Sequence, residues 1–193
     1  LSSAVSQSVV SGSLEIKLTG TFTTISGTTF ADNISGTTGV DTIWADSGAD
    51  TIYGDAGADT IYGGADADTI DGGADVDTID GGTGNDTITG GTGNDIIDGG
   101  DDTDTFDESD STSNITVVLE NASGTSTSAV EGTDALTNIE NVTTGSGADD
   151  FTLSDSGLNV ISASSGTDTV TILNAISITV TRIGDDVFIT DNS

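Results

Sequence analysis

Cysteine, histidine, proline and methionine are all absent from these 193 residues. Without cysteine there is no disulfide framework and no thiolate metal site. Without histidine the usual zinc and iron centres lose their commonest ligand. The same two absences remove the side chains most often used as catalytic nucleophile and base. Basic residues are nearly missing too. Lys17 and Arg182 face 33 acids, for a net charge of −31. No basic patch can neutralise phosphates, so nucleic acid is excluded as a partner. No run of 18 apolar residues occurs, so no transmembrane helix is expected. Apolar residues make up 33% and aromatics 4% of the chain, thin for an ordinary globular core. Such a chain is either disordered or a fold completed by cations.

What is present decides between the two. Nine aspartates lie nine residues apart: Asp32, Asp41, Asp50, Asp59, Asp68, Asp77, Asp86, Asp95 and Asp104. Two residues after each stands one apolar side chain: Ile34, Ile43, Ile52, Ile61, Ile70, Ile79, Ile88, Ile97 and Phe106. Disorder does not need an apolar residue at every ninth position, whereas a solenoid does. Glycines crowd the turn before each aspartate, at Gly36, Gly39, Gly48, Gly54 and Gly57. From there on they open each repeat in pairs: Gly63-Gly64, Gly72-Gly73, Gly81-Gly82, Gly90-Gly91 and Gly99-Gly100. The fourth position of the unit is Gly84 and Gly93 in two of the later repeats, but Asp66, Asp75 and Asp102 in the others.

One unit therefore reads as a Gly/Asp turn followed by three extended residues, the middle one pointing inward. Two units make a coil of strand, turn, strand, turn, and coils stack at about 4.8 Å through parallel pairing. Stacking places Asp32, Asp50, Asp68, Asp86 and Asp104 in one column and Asp41, Asp59, Asp77 and Asp95 in another. Only two apolar side chains per coil are too few to offset ordering the backbone, and stacked carboxylates repel. A hard cation between turns removes both problems. Ca²⁺ accepts 6–8 oxygens in flexible geometry, main-chain carbonyls included, whereas Mg²⁺ demands a tighter octahedron. Counting the gaps between stacked aspartates gives about seven ions.

The Gly-Gly-x-Gly-x-Asp-x-apolar-x unit, complete at Gly81 through Thr89 and at Gly90 through Asp98, resembles the nonapeptide of the RTX (repeats-in-toxin) calcium-binding proteins. The resemblance implies an all-β fold, a parallel β-roll that is a right-handed β-solenoid of 18 residues per coil. It implies that the position-six aspartates and the carbonyls of positions one to four hold calcium. The residues so nominated are the nine aspartates, the glycines named above, and Asp66, Asp75 and Asp102, since aspartate tolerates unusual turn geometry. Phe30 and the missing glycine pair weaken the outermost N-terminal site. Asp134, Asp149 and Asp168 are further candidates. Members of the family are generally exported unfolded by type I secretion and fold on meeting extracellular calcium, so a secreted or cell-surface location is expected.

The expected organisation is a strand cap over 1–26, the calcium-binding roll over 27–107, a degenerate second solenoid segment over 108–175, and a hairpin cap over 176–193. Within the second segment, 114–119 reads as a strand and 121–128 as a loop. Outward aromatics occupy position nine in three successive repeats, Trp44, Tyr53 and Tyr62. They read either as surface covered by the N-terminal strands or as a contact patch for another subunit or a glycan. No distinctive acid pair or reactive lysine stands out, so no catalysis is expected. The chain reads first as an extracellular calcium-binding structural protein (an adhesin, surface-layer or filament subunit) that self-associates. The alternative is the calcium-binding and secretion module of a larger secreted enzyme. A third reading is a soluble calcium buffer. The chain opens on Leu1, which leaves a removed leader and a longer parent both open.

Overall fold

The structure, a computed structural model, describes residues 15–17, 24–154, 159–173, 178–183 and 186–191. Twenty strands, numbered in chain order, form two sheets. The nine-stranded sheet runs β1 (Glu15–Lys17), β3 (Asn33–Thr37), β5 (Thr51–Asp55), β7 (Thr69–Ala74), β9 (Thr87–Thr92), β11 (Thr105–Glu108), β15 (Asn141–Ser146), β17 (Asn159–Ser165) and β19 (Ile178–Ile183). The eleven-stranded sheet runs β2 (Ile25–Ser26), β4 (Thr42–Trp44), β6 (Thr60–Ala65), β8 (Thr78–Thr83), β10 (Ile96–Asp101), β14 (Gly132–Thr137), β13 (Ser123–Ser128), β12 (Ile115–Glu120), β16 (Asp150–Leu153), β18 (Thr167–Ile172) and β20 (Asp186–Asp191). Odd and even strands alternate between the sheets up to β11, so each pair of repeats makes one coil.

Pairing is parallel, and the register is the 18-residue step of the sequence. Ile34 pairs with Ile52, Ile52 with Ile70, Ile70 with Ile88, and Ile88 with Phe106 in one sheet. Ile25, Ile43, Ile61, Ile79 and Ile97 form the facing column. All ten side chains are 2% exposed or less. They meet as two stacked rows between the sheets. Alternation sends the neighbours of each isoleucine outward, so threonine and aspartate fill the outer faces. The fold is thus an all-β parallel solenoid with a core one side chain deep on each wall.

Residues 15–17 and 25–26 continue the ladder at the same step, with Ile16 paired to Ile34 and Ile25 to Ile43; most of the expected cap over 1–26 lies outside the described residues. Two expectations need correction. The C-terminal strands are not a hairpin. β19 pairs parallel with β17 and β20 with β18, in different sheets. Val170 pairs with Ile189 and β20 keeps its register throughout, whereas the β17–β19 register slips by one residue after Ile161 pairs with Val180; alternation alone reveals neither partner. Residues 184–185, where a turn was expected, lie outside the described residues. The Ser/Thr/Gly stretch at 121–128 is also not a loop. Most of it is β13, held antiparallel between β12 and β14, where two apolar neighbours override weak intrinsic preference.

The antiparallel meander β12–β13–β14 interrupts the eleven-stranded sheet only. β14 pairs parallel with β10, and β12 pairs parallel with β16. In the other sheet β11 pairs directly with β15. The ladder then resumes at a 19-residue step, as in Val142 with Ile161 and Phe151 with Val170.

Ile79 is enclosed in its column, while Thr78 beside it faces solvent. Ile79→Ala is expected to lower the unfolding free energy of the calcium-loaded protein by about 2–5 kcal/mol, and Thr78→Ala to change it by no more than about 0.5 kcal/mol, both read from chemical denaturation.

Candidate metal centre

Each turn of the roll is built around its aspartate. Within the roll, the backbone N–H of an aspartate donates to Oδ1 of the aspartate one coil on: Asp32 to Asp50 at 2.7 Å, Asp50 to Asp68 and Asp68 to Asp86 at 2.8 Å, and Asp86 to Asp104 at 2.8 Å. The second column repeats the pattern from Asp41 to Asp59, Asp77 and Asp95. The aspartate carbonyl accepts from the next coil as well, as in Thr69 N–H to Asp50 O at 2.9 Å. All nine carboxylates are therefore fixed, and all are 5% exposed or less.

The other carboxylate oxygen is the informative one. Oδ2 of Asp50, Asp59, Asp68, Asp77, Asp86, Asp95 and Asp104 is buried and accepts no hydrogen bond. There is one such oxygen in each gap between stacked aspartates. Leaving a buried anionic oxygen unpaired is costly, and no basic side chain among the described residues is stacked with them. Each of these oxygens beyond Asp50 lies over the glycine that opens its own repeat. A Cβ on Gly72 would meet Asp77 Oδ2 at 2.8 Å and the Gly90 carbonyl oxygen at 2.6 Å. Gly54, Gly63, Gly81, Gly90 and Gly99 show the same approach, with Oδ2 at 2.5–2.8 Å. The glycine keeps open a cradle where carboxylate and carbonyl oxygens converge. Among the described residues no three acidic side chains group together as a chelating set, so an ion held here must draw most of its ligands from the main chain. Calcium accepts such a donor set, and these residues fit it.

The first two repeats differ. Thr28 and Thr37 occupy the second position, and each donates both its N–H and its hydroxyl to the aspartate of its own turn, Asp32 or Asp41, at 2.6–2.9 Å. From the third repeat on, the second residue adopts a left-handed backbone, at Asp46, Asp55, Gly64, Gly73, Gly82, Gly91 and Gly100. The amide no longer closes the turn, and Oδ2 is released. Asp66, Asp75 and Asp102 are left-handed as well, at φ 77°, 80° and 83°. They reproduce glycine's backbone, with their side chains exposed at the rim.

Burial, and then the charge of stacked neighbours, raises the carboxyl pKa values against the opposing pull of the amide hydrogen bonds. Asp50, Asp59 and Asp104 rise to about 6, and Asp68 and Asp77 to about 7. Asp86 and Asp95 rise for the same leading reason. Beyond the roll, Asp134 Oδ1 accepts from Asp95 N–H at 3.0 Å and continues the second column. Asp149 and Asp168 are linked by an N–H to Oδ1 bond of 3.1 Å, and each keeps a buried, unpaired Oδ2. Glu140, not among the expected residues, takes the next place in the first column, its Oε2 accepting from Asp104 N–H at 2.9 Å. Its signal was the spacing Glu140-Asn141-Val142, an acid two residues before an apolar side chain.

These features define a calcium-binding β-roll. The model of the RTX calcium-binding nonapeptide repeat matches four overlapping stretches, residues 26–61, 45–79, 53–88 and 71–106, so this part of the chain is similar to that repeat. No curated protein matches the chain significantly. The repeat is a structural module with no catalytic role.

Two outcomes test the geometry. Gly72→Ala places a methyl among the converging oxygens and is expected to lower the number of bound calcium ions by at least one. Gly39→Ala, whose Cβ would find only Thr37 Oγ1 at 3.9 Å, should leave the number unchanged, both counted by native mass spectrometry. The pKa shifts set the pH response. Each folded-state value lies above the ordinary 3.8, so folding favours the protonated acid. Without calcium, the roll is expected to be most stable below pH 3.8 and to lose stability as the pH rises through 6 to 7. Circular dichroism in EDTA across that window reads the effect. Calcium affinity should run the opposite way, falling below pH 6 as protons compete for the same oxygens.

Proposed function

We propose that the chain is an extracellular structural protein whose roll folds around calcium and whose folded form self-associates. One observation carries the reading: the Oδ2 atoms of seven stacked aspartates in the roll are buried without partners, one for each gap between stacked aspartates. They support about seven ions. Carboxylate ligands would come from Asp50, Asp59, Asp68, Asp77, Asp86, Asp95 and Asp104, and carbonyl ligands from the opening glycines. Thr28 and Thr37 already occupy Oδ2 of Asp32 and Asp41, while Asp41 Oδ1 is left buried without a partner and remains a candidate ligand. Asp149 and Asp168 are the candidates for ions in the second array. In the ion-free chain 33 acids repel one another. In a calcium-rich medium, binding free energy becomes folding free energy. That coupling suits a protein that crosses a membrane unfolded and acquires its shape outside the cell. None of the described residues forms a helix long and apolar enough to span a membrane.

Self-association has its own support. Trp44 and Tyr62 stack on the outer face of the eleven-stranded sheet with ring centroids 3.9 Å apart, and Tyr53 stands on the other sheet. Trp44 is 47% exposed and Tyr53 41%, so described strands leave them uncovered. Exposed aromatics beside acidic rims fit contact between copies bridged by calcium. As an adhesin, surface-layer or filament subunit the chain would use that face directly. As the calcium-binding module of a larger secreted enzyme it would have no need of it.

Circular dichroism after EDTA treatment is expected to lose the β signal and to regain it in millimolar Ca²⁺ but poorly in Mg²⁺. An unchanged spectrum would overturn the calcium reading. Sedimentation velocity in calcium then tests assembly: the wild type should form larger species and Trp44→Ala with Tyr62→Ala should not, whereas a monomer at every concentration would favour the enzyme-module reading.

A further inference from the structure

The joint between the roll and the meander holds carboxylates that the repeat does not use. In the repeat register, Glu108 stands where Gly36, Gly54, Gly72 and Gly90 open the preceding turns of the same sheet. It ends β11 with its side chain turned inward, only 5% exposed, and its Oε1 is buried without a hydrogen-bond partner. The space it faces is a cavity of about 220 Å³ lined by Glu108, Glu131, Ser109, Ser111, Asp107 and Asp110, with Asp71 and Thr89 at its margin. Nearly every lining group offers oxygen.

The two segments that meet here are positioned from both sides. Ser111 N–H donates to the Glu108 carbonyl at 3.0 Å, and Ser111 Oγ donates to Glu131 Oε1 at 3.1 Å. Glu131 is fixed in turn: its N–H donates to Ser128 Oγ at 3.0 Å, and its carbonyl accepts from Gly93 N–H at 2.7 Å. Asp134 and Asp95 lie close enough to act on Glu108 through their charge, after Glu131, which acts most strongly. No basic group balances them. Lys17 is on β1, five strands from β11 in its sheet, and Arg182 is on β19, three strands away on the other side. Burial and these neighbours lift the Glu108 carboxyl to about 8.

We infer that Glu108 and Glu131, with the Ser111 hydroxyl and nearby carbonyls, hold one further divalent cation of calcium's hardness that ties the meander to the end of the roll. The inference rests on the calcium-binding reading of the repeats, but its ligands are acidic side chains at a joint, outside the nonapeptide turns. Two carboxylates, a hydroxyl and carbonyls are an oxygen set suited to calcium. The ion supplies the charge balance that no lysine or arginine lining the cavity gives. It also fastens two segments 23 residues apart in sequence, one from the last regular coil and one from the meander's return.

Native mass spectrometry of the full chain titrated with Ca²⁺ tests this. Glu108→Gln and Glu131→Gln are each expected to bind one ion fewer than wild type. Glu120→Gln, an exposed charge at the end of β12, should bind the full number. Hydrogen exchange over 123–137 should slow with calcium in wild type and remain fast in the two variants. Should Glu108→Gln fail to fold, Glu131→Gln decides, because Glu131 lies only partly buried. Both variants folded with the wild-type ion count, and with a calcium-protected meander, would overturn the inference and leave a protonated carboxyl pair in its place. A wild type that binds no calcium at all would instead overturn the reading of the repeats.

Discussion

The roll depends on how each aspartate divides its two oxygens. One receives the amide of the coil before it and fixes the stacking distance. The other is left in a dry turn with nothing to accept. A buried anion of this kind is tolerated only if a proton or a metal joins it. The isoleucine rows make the ladder possible but cannot hold it alone, because they contribute two side chains to every 18 residues. Under the calcium-coupled folding proposed above, structure and ion form one equilibrium rather than a scaffold with an added ligand. The left-handed second residue of each repeat is the device that commits the turn to this arrangement. Where Thr28 and Thr37 replace it, hydroxyl and amide close the turn from within.

Much of this was legible in the sequence because period and chemistry coincide. The nine-residue step fixed which residues point inward and which aspartates share a column. The Gly-Gly pairs marked where the chain needs a left-handed backbone. Even the three aspartates in place of glycine, Asp66, Asp75 and Asp102, follow from aspartate's tolerance of that region. Residue spacing cannot tell an amide-satisfied oxygen from an orphaned one, and so the different treatment of Asp32 and Asp41 appears only in three dimensions.

The stretch after Asp107 was harder to read for a physical reason. Alternation of apolar and polar residues is the same in a hairpin strand, an edge strand and a rung of a parallel ladder. What separates them is the partner, and the partner is set by register over long distances. Asn121 through Ser128 has the composition of a loop, and tertiary pairing made most of it a strand. Glu140 was missed because a search for aspartate does not admit a glutamate, although it stands in register with Asp104, two residues before Val142. Glu108 was missed because it occupies a glycine position, where an acid seems only to end the repeat.

The meander has a mechanical consequence. It gives one wall of the solenoid two more strands than the other, about 10 Å of extra height at the spacing of paired strands. Walls of unequal height cannot share a straight axis. That mismatch has to be absorbed where β12 to β14 are inserted, which makes this joint the elbow between the two arrays. Tension applied end to end would reach that elbow through antiparallel strands on one side and a single parallel contact, β11 on β15, on the other. The elbow is thus the place where stretching and calcium depletion would act on the same few residues.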